Sequence, residues 1–412
     1  MNYFRKRQEE LLNKLPQNSV VYIFSGENIC KSADSTYKFS VDRNFYYLTG
    51  LDKEDMILEL SNFNGVNNHK VYALKHDETY AKWVGARMSY QAIKEVSGVD
   101  FVLDRTNFES GFSTLYNNLR GLEDYNIYLD LWQYKKGQNH SLAYKFLNDI
   151  KLNYQVLNVK DIYYHLTSMR LIKDELEIEN LRKAINITKT ALYEMFKGDK
   201  SNEGQMYASF IYGLMKQGCR QEAFDTILAS GKNATCLHYV ENDKDINPND
   251  LVLCDLGATY NNYSADITRT IPVSGSFTKR QKEIYSLVLE GKKLVIENAV
   301  VGKTLVDLNN TLIDFYKGKL ESLGLDNDVS KYYYHGVSHF LGLDTHDTDL
   351  FRGTTKLKPG MVITVEPGFY IDDENIGIRI EDDILITNEG PINLSSEIIE
   401  EITDLETLLN EK

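Results

Sequence analysis

The run LVLCDLGATYNNYSADITRT (residues 251–270) holds two aspartates in apolar company. Leu251, Leu253 and Asp255 fall on one face of a predicted strand, so the Asp255 carboxylate is expected to be buried or nearly so. A buried carboxylate needs a partner. Asp266 lies 11 residues later in a second strand-like run, and Thr259 to Asn262 between them reads as a turn. Two strands joined in this way would bring the two carboxylates together. A salt bridge or a turn cap explains either Asp taken singly, so the case depends on the rest of the chain.

Outward from this run lie four more clusters. HGVSHFLGLDTHD (335–347) holds His335, His339 and His346, three of the chain's eight histidines. Neutral imidazole is a common metal ligand and the usual proton carrier near neutral pH. MVITVEPGFY (361–370) ends an apolar strand at Glu366, which Pro367 and Gly368 follow. In GIRIEDDILIT (377–387), Arg379 and Glu381 share one predicted face, where they would form a lateral ion pair or a more demanding buried charge set. His238 stands in LHYVEN after the turn-like ASGKN segment, so all four histidines beyond residue 165 fall in candidate motifs. That concentration argues for a single site.

Asp255, Asp266, His339, Glu366 and Glu381 make an Asp/Asp/His/Glu/Glu set. Four carboxylates gathered in a core repel one another by several kcal/mol unless cations neutralise them. The set therefore implies bound metal, and with this many oxygen ligands two ions. Oxygen-rich ligands with one His favour Mn²⁺, Co²⁺ or Fe²⁺ over a sulfur-loving site. Two bridged ions would lower the pKa of a held water toward ~7, which serves amide and phosphoester hydrolysis equally well.

With 412 residues the chain is long for one core, and two domains are expected. A hydrophobic content of 42% suits a globular protein, and a net charge of −14 without a basic stripe disfavours nucleic acid as a partner. No segment approaches the ~20 apolar residues of a membrane span. Charges are scattered through MNYFRKRQEELLNKLP, where a signal peptide would need an apolar run. Cys30, Cys219, Cys236 and Cys254 show no CxxC spacing. A cytoplasmic protein is expected.

The first ~160 residues mix strand-length apolar runs (20–24, 56–60, 71–74, 127–129) with helices over 90–96 and 141–147, an α/β pattern. His69 and His76 sit in polar surroundings and are expected at the surface. Asp174 reads as an N-cap with Glu177 completing a capping box, and Thr278 with Gln281 repeats the device. A third helix is expected over 305–323, with strands over 250–256, 263–272, 361–367 and 377–387. The boundary is set near residue 165, giving domains 1–165 (α/β) and 166–412 (α+β).

At these motifs the chain closely resembles the pita-bread metallopeptidases, in the branch of Xaa-Pro aminopeptidase (aminopeptidase P) and prolidase. The resemblance rests on CDLGATYNNYSADITRT, HGVSHFLGLDTHD, KPGMVITVEPGFYI and GIRIEDDILIT. In the N-terminal part SADSTYKFSVDRNFYYLTG (32–50) and KWVGARMS (82–89) add to it. It implies an α+β pita-bread catalytic domain behind a smaller α/β domain. It also implies a dinuclear centre, usually manganese, held by Asp255, Asp266, His339, Glu366 and Glu381. Asp266 and Glu381 would bridge the ions, and Glu366 would also orient or deprotonate the attacking water. His238 and His346 would hydrogen-bond the substrate around the scissile bond. His335 would line the proline pocket, and Arg379 would steady the ligands and the far end of the substrate. Trp83 would help close the site of a neighbouring subunit, which implies a homo-oligomer, dimer or tetramer.

The implied activity is release of the N-terminal residue from peptides with proline second; the alternative is a prolidase restricted to Xaa-Pro dipeptides. A noncatalytic relative would be expected to have lost ligands that this chain keeps. Departures from the family pattern are His346-Asp347-Thr348-Asp349 where the family often continues as HDVG, Lys232 in place of an acidic residue, and Phe224 where many relatives have Tyr.

Overall fold

The computed structural model describes residues 2–63, 65–133 and 141–411. The chain forms two compact units that divide between Met169 and Arg170.

The first unit is built on a six-stranded mixed sheet. Its order is Phe101–Asp104, Val66–Ala73, Ile57–Phe63, Ser19–Phe24, Asn126–Leu129, Val159–Asp161. Ser19–Phe24 is buried along its length, as its unbroken apolar run requires. On one side Tyr22 packs edge-on against Phe108, Phe112 and Phe146, with ring centroids 5.4, 5.9 and 5.7 Å away. The four strands read from sequence are present, and the outer two escape notice because they are short and partly exposed. His69 corrects expectation: it is fully buried, with Nδ1 2.8 Å from the Gln8 side-chain oxygen and Nε2 3.1 Å from Glu9. His76 is exposed. Trp83 lies near the end of the helix Glu78–Val84, 84% exposed.

In the second unit every strand pairing among the described residues is antiparallel. One sheet has the order Ile267–Pro272, Leu251–Leu256, Ile227–Ser230, and another the order Val362–Val365, Asp382–Thr387, Gly390–Asn393. A two-stranded ribbon joins Gly368–Ile371 to Ile376–Arg379. Helix Glu175–Lys197 starts at the capping box of Asp174 and Glu177, and Lys279–Asn298 at that of Thr278 and Gln281. The third helix ends at Lys317, and Glu321–Leu323 is a separate 3-10 turn.

The turn foreseen at 259–262 is a hairpin, with Asn261 and Asn262 at positive φ (48° and 63°), the backbone form of a type I′ turn. Gly257 is needed beside it, since a Cβ there would sit 1.9 Å from the Ala265 carbonyl oxygen. Two expected strands are each broken in two. The 263–272 run interrupts at Ala265–Asp266, and the 377–387 run at Ile380–Glu381. Both interruptions fall on a carboxylate singled out from the sequence.

Candidate metal centre and active site

Asp255 enters the site from the middle strand of the first sheet, directly across from Thr268 in the register. Asp266 and Glu381 enter from the two strand breaks. The amide of Glu381 donates to the Thr268 carbonyl (3.0 Å), while the Thr268 hydroxyl donates to Glu381 Oε2 (2.6 Å). The amide of Asp266 donates to the Asp383 carboxylate at 3.3 Å. Glu366 follows the strand Val362–Val365, and His339 lies beside it, its amide 3.2 Å from the Thr364 hydroxyl.

These five side chains line one cavity of about 880 Å³, together with His238, His335, His346 and Arg379. Its volume falls in the range of small-molecule sites. All nine residues belong to the second unit. Trp83, the remaining predicted residue, lies in the first. Phe224, Ile227, Leu237 and Val240 supply an apolar part of the wall.

His339 decides how the polar part is to be read. Its Nδ1 faces the Phe340 carbonyl at 3.1 Å, so that nitrogen carries the proton and Nε2 presents its lone pair. Nε2 points at Asp266 Oδ2 and Glu366 Oε1, each 3.4 Å away. A lone pair facing two carboxylates is stable only with a cation between them. Burial alone would lower the His339 pKa, but the hydrogen bond to Asp266 and the charges of Glu366 and Asp266 raise it to about 9. Without metal, an extra proton takes the cation's place.

The acids give the same answer. Burial, then the charges of Asp266, Glu366 and Asp255, push Glu381 well above the ordinary carboxylate range. Burial likewise raises Glu366 to about 7, against the opposing charges of His339 and Arg379. Asp255 Oδ1 and Glu381 Oε1 are buried without a hydrogen-bond partner. Asp266, His339 and Glu381 each offer a ligand atom within 4.8 Å of the others. The donor set thus fits hard divalent cations, with free carboxylate oxygens aimed at the place they would occupy.

Arg379 is placed differently from its sequence reading. The strand breaks after it, so parity with Glu381 is lost. Its Nη2 instead donates to Asp255 Oδ2 at 2.5 Å, and its Nη1 to the Tyr370 hydroxyl at 3.0 Å. The Tyr370 oxygen lies 2.9 Å from His335 Nε2, and His335 Nδ1 lies 2.8 Å from the Gly336 carbonyl. The carbonyl fixes the proton on Nδ1, so the Tyr370 O–H donates to Nε2. Burial, then Arg379, lowers the His335 pKa to about 3. Gly368 makes room for this pair: a Cβ there would sit 2.2 Å from the Tyr370 hydroxyl.

The His346 ring lies beside that of His339, with centroids 4.2 Å apart and planes tilted by 48°. Lost hydration, then the charges of His339 and His238, lower its pKa to about 4. His238 is exposed on the cavity wall. Sequence reasoning missed Thr268 and Tyr370. Thr268 carries one signal, lying two residues beyond Asp266 in a strand-like run. Tyr370 carries none, because its role depends on contacts across the fold. Of the noted departures, Lys232 pairs at the surface with Asp372 (3.4 Å) and Phe224 lines the cavity, while Asp347, the residue after His346, turns away from it into a buried ion-pair cluster.

Residues 179–388 match the profile of metallopeptidase family M24, and residues 4–122 that of the aminopeptidase P N-terminal domain. The Xaa-Pro aminopeptidase of Escherichia coli strain K12 is 32% identical over 98% of this chain and 97% of its own. A structure of a candidate aminopeptidase P from Bacillus anthracis superposes with a TM-score of 0.95 at 38% identity, covering 99% of this chain and 97% of that one. Aminopeptidase P from Escherichia coli, solved with the inhibitor Pro-Leu, gives 0.90 at 30% identity over the same shares. The two profile matches and the superposition along nearly the whole chain place the fold in a known lineage: this chain belongs to metallopeptidase family M24, with the two-domain fold of aminopeptidase P.

Proposed function

We propose that the protein is a metal-dependent Xaa-Pro aminopeptidase, releasing the N-terminal residue of peptides whose second residue is proline. The observation that carries this reading is His339 Nε2 facing Asp266 and Glu366 in a cavity that gathers four carboxylates. The similarity along nearly the whole chain to proteins named Xaa-Pro aminopeptidase supports the substrate class.

Asp255, Asp266, His339, Glu366 and Glu381 would hold two divalent ions, manganese in our reading. Such ions, when bound, would acidify a water and polarise the scissile carbonyl. Glu366, whose Oε1 lies 3.4 Å from His339 Nε2, would orient the attacking water and take its proton. His346, neutral near pH 7, and His238 donate N–H groups to the oxygen that becomes negative as the tetrahedral intermediate forms. His335, also neutral, offers its ring face to the proline. Arg379 holds Asp255 and Tyr370 in place. Trp83 is read as a lid residue for a neighbouring subunit of a homo-oligomer, dimer or tetramer. Four free cysteines without disulfide spacing accord with a cytoplasmic location. Among the described residues no helix is long and apolar enough to cross a membrane.

Cleavage of Xaa-Pro and Xaa-Pro-Xaa peptides in the presence of added metal tests the proposal. Release of the first residue from the tripeptides is expected. Turnover of dipeptides alone would make the enzyme a prolidase, and turnover of neither would overturn both readings.

A further inference from the structure

The loop that carries His346 into the cavity is held from behind by a buried pair of cations. Asp347, the next residue, keeps its side chain only 2% exposed between Arg170 and Lys173, whose side chains are 4% and 1% exposed. Arg170 Nη2 donates to Asp347 Oδ1 at 2.5 Å and to Asp344 Oδ2 at 2.9 Å, and Lys173 Nζ donates to Asp347 Oδ2 at 3.0 Å. Two cations thus balance two carboxylates, and both carboxylates flank His346 in sequence.

The backbone of the loop is equally tied. The Asp347 amide donates to the Phe340 carbonyl (2.8 Å), and the Gly342 amide to the Asp344 carbonyl (3.1 Å). Gly342 leaves space for the cluster: a Cβ there would lie 2.2 Å from Asp347 Oδ2 and 3.1 Å from Lys173 Cε. By contrast, among the described residues no hydrogen bond holds the His346 ring. Its centroid lies 4.2 Å from that of the His339 ring, and the main chain of the loop carries it there. Charged side chains this deeply buried are fixed in geometry, because leaving any one of them unpaired is costly.

We propose that Arg170 and Lys173 are positioning residues for catalysis: by clamping Asp347 they set the His346 ring where it can hydrogen-bond the substrate. Neither touches the reacting atoms. This inference rests on the role given to His346 above. Displacing a catalytic group by about 1 Å can cost a factor of ~100 in rate. Weakening the clamp should therefore lower kcat and leave KM and metal content almost unchanged.

The test is a double-mutant cycle in the metal-loaded enzyme, combining Asp347→Asn or Lys173→Met with His346→Ala. Each clamp variant alone is expected to lower kcat about 10- to 100-fold, with KM within about twofold and metal content intact. In the His346→Ala background each should lower kcat by no more than about twofold, because the ring it positions is gone. Crystal structures of the two single clamp variants should show the His346 ring moved from its place beside His339. Equal losses in both backgrounds, or an unmoved ring, would overturn the clamp and leave the role of His346 standing. An unchanged kcat in His346→Ala alone would instead remove that role, and the clamp's function with it. Lys173→Met serves as the second variant should Asp347→Asn fold poorly.

Discussion

The Thr268 hydroxyl donates to Glu381 Oε2 at 2.6 Å, across 113 residues of sequence. Thr268 is also the residue opposite Asp255 in the strand register, and it lies two residues past Asp266. One threonine therefore touches the supports of three proposed ligands. Removing the hydroxyl while keeping the shape, as Thr268→Val does, leaves Glu381 without its hydrogen-bonded orientation. Partners of this kind typically contribute 10–100-fold to metal affinity. Titration calorimetry with Mn²⁺ is expected to show a loss of about tenfold or more. An unchanged affinity would mean that the Glu381 rotamer is fixed by packing alone.

Asp266→Ala and Glu366→Ala each remove one of the two carboxylates that face His339 Nε2. Both variants are expected to lose turnover and to retain less metal by elemental analysis. Wild-type activity in either one would refute the site.

Chelation should inactivate the enzyme, and Mn²⁺ should restore more activity than Zn²⁺, because the donors are mainly carboxylate oxygens. The reverse order would overturn the choice of manganese. Metal removal should also lower Tm, since ions that bind only the folded state stabilise it by mass action.

His335 predicts an acid limit to stability. Its folded pKa of about 3 lies below the ordinary value of 6.5, so the unfolded chain binds the proton more readily. Stability is therefore complete above pH 6.5 and declines as pH falls toward 3, by about 2 kcal/mol between 6.5 and 5. Cations bound in the cavity would act in the same direction. Urea unfolding of His335→Gln across this range should show a flatter slope than the wild type; parallel slopes would assign the acid loss to other groups.

Much of the second unit is legible in its sequence because local chemistry and final contacts agree there. The Asn261-Asn262 pair accepts the positive φ of its turn, and Asp174 and Thr278 cap their helices as their patterns require. The five carboxylate and imidazole positions were found because charge in an apolar run stands out. What escaped depends on where strands stop. Arg379 and Glu381 share a face only in an unbroken strand, and the break at Ile380–Glu381 sends the guanidinium to Asp255 instead. His69 looked like a surface residue because its neighbours in sequence are polar. It is buried by Gln8 and Glu9, from a helix 60 residues earlier.

The interruptions at Asp266 and Glu381 bear on any attempt to transplant this centre. A side chain in a continuous strand inherits its direction from the pleat, and a grafted strand carries that direction with it. These two carboxylates do not: each stands where its chain leaves one ladder for another. Their amides are satisfied from outside, by Asp383 and by the Thr268 carbonyl. The smallest portable version of the site is therefore two breaks that hold each other open, and a designer who copied only the five ligands onto regular strands would lose their aim.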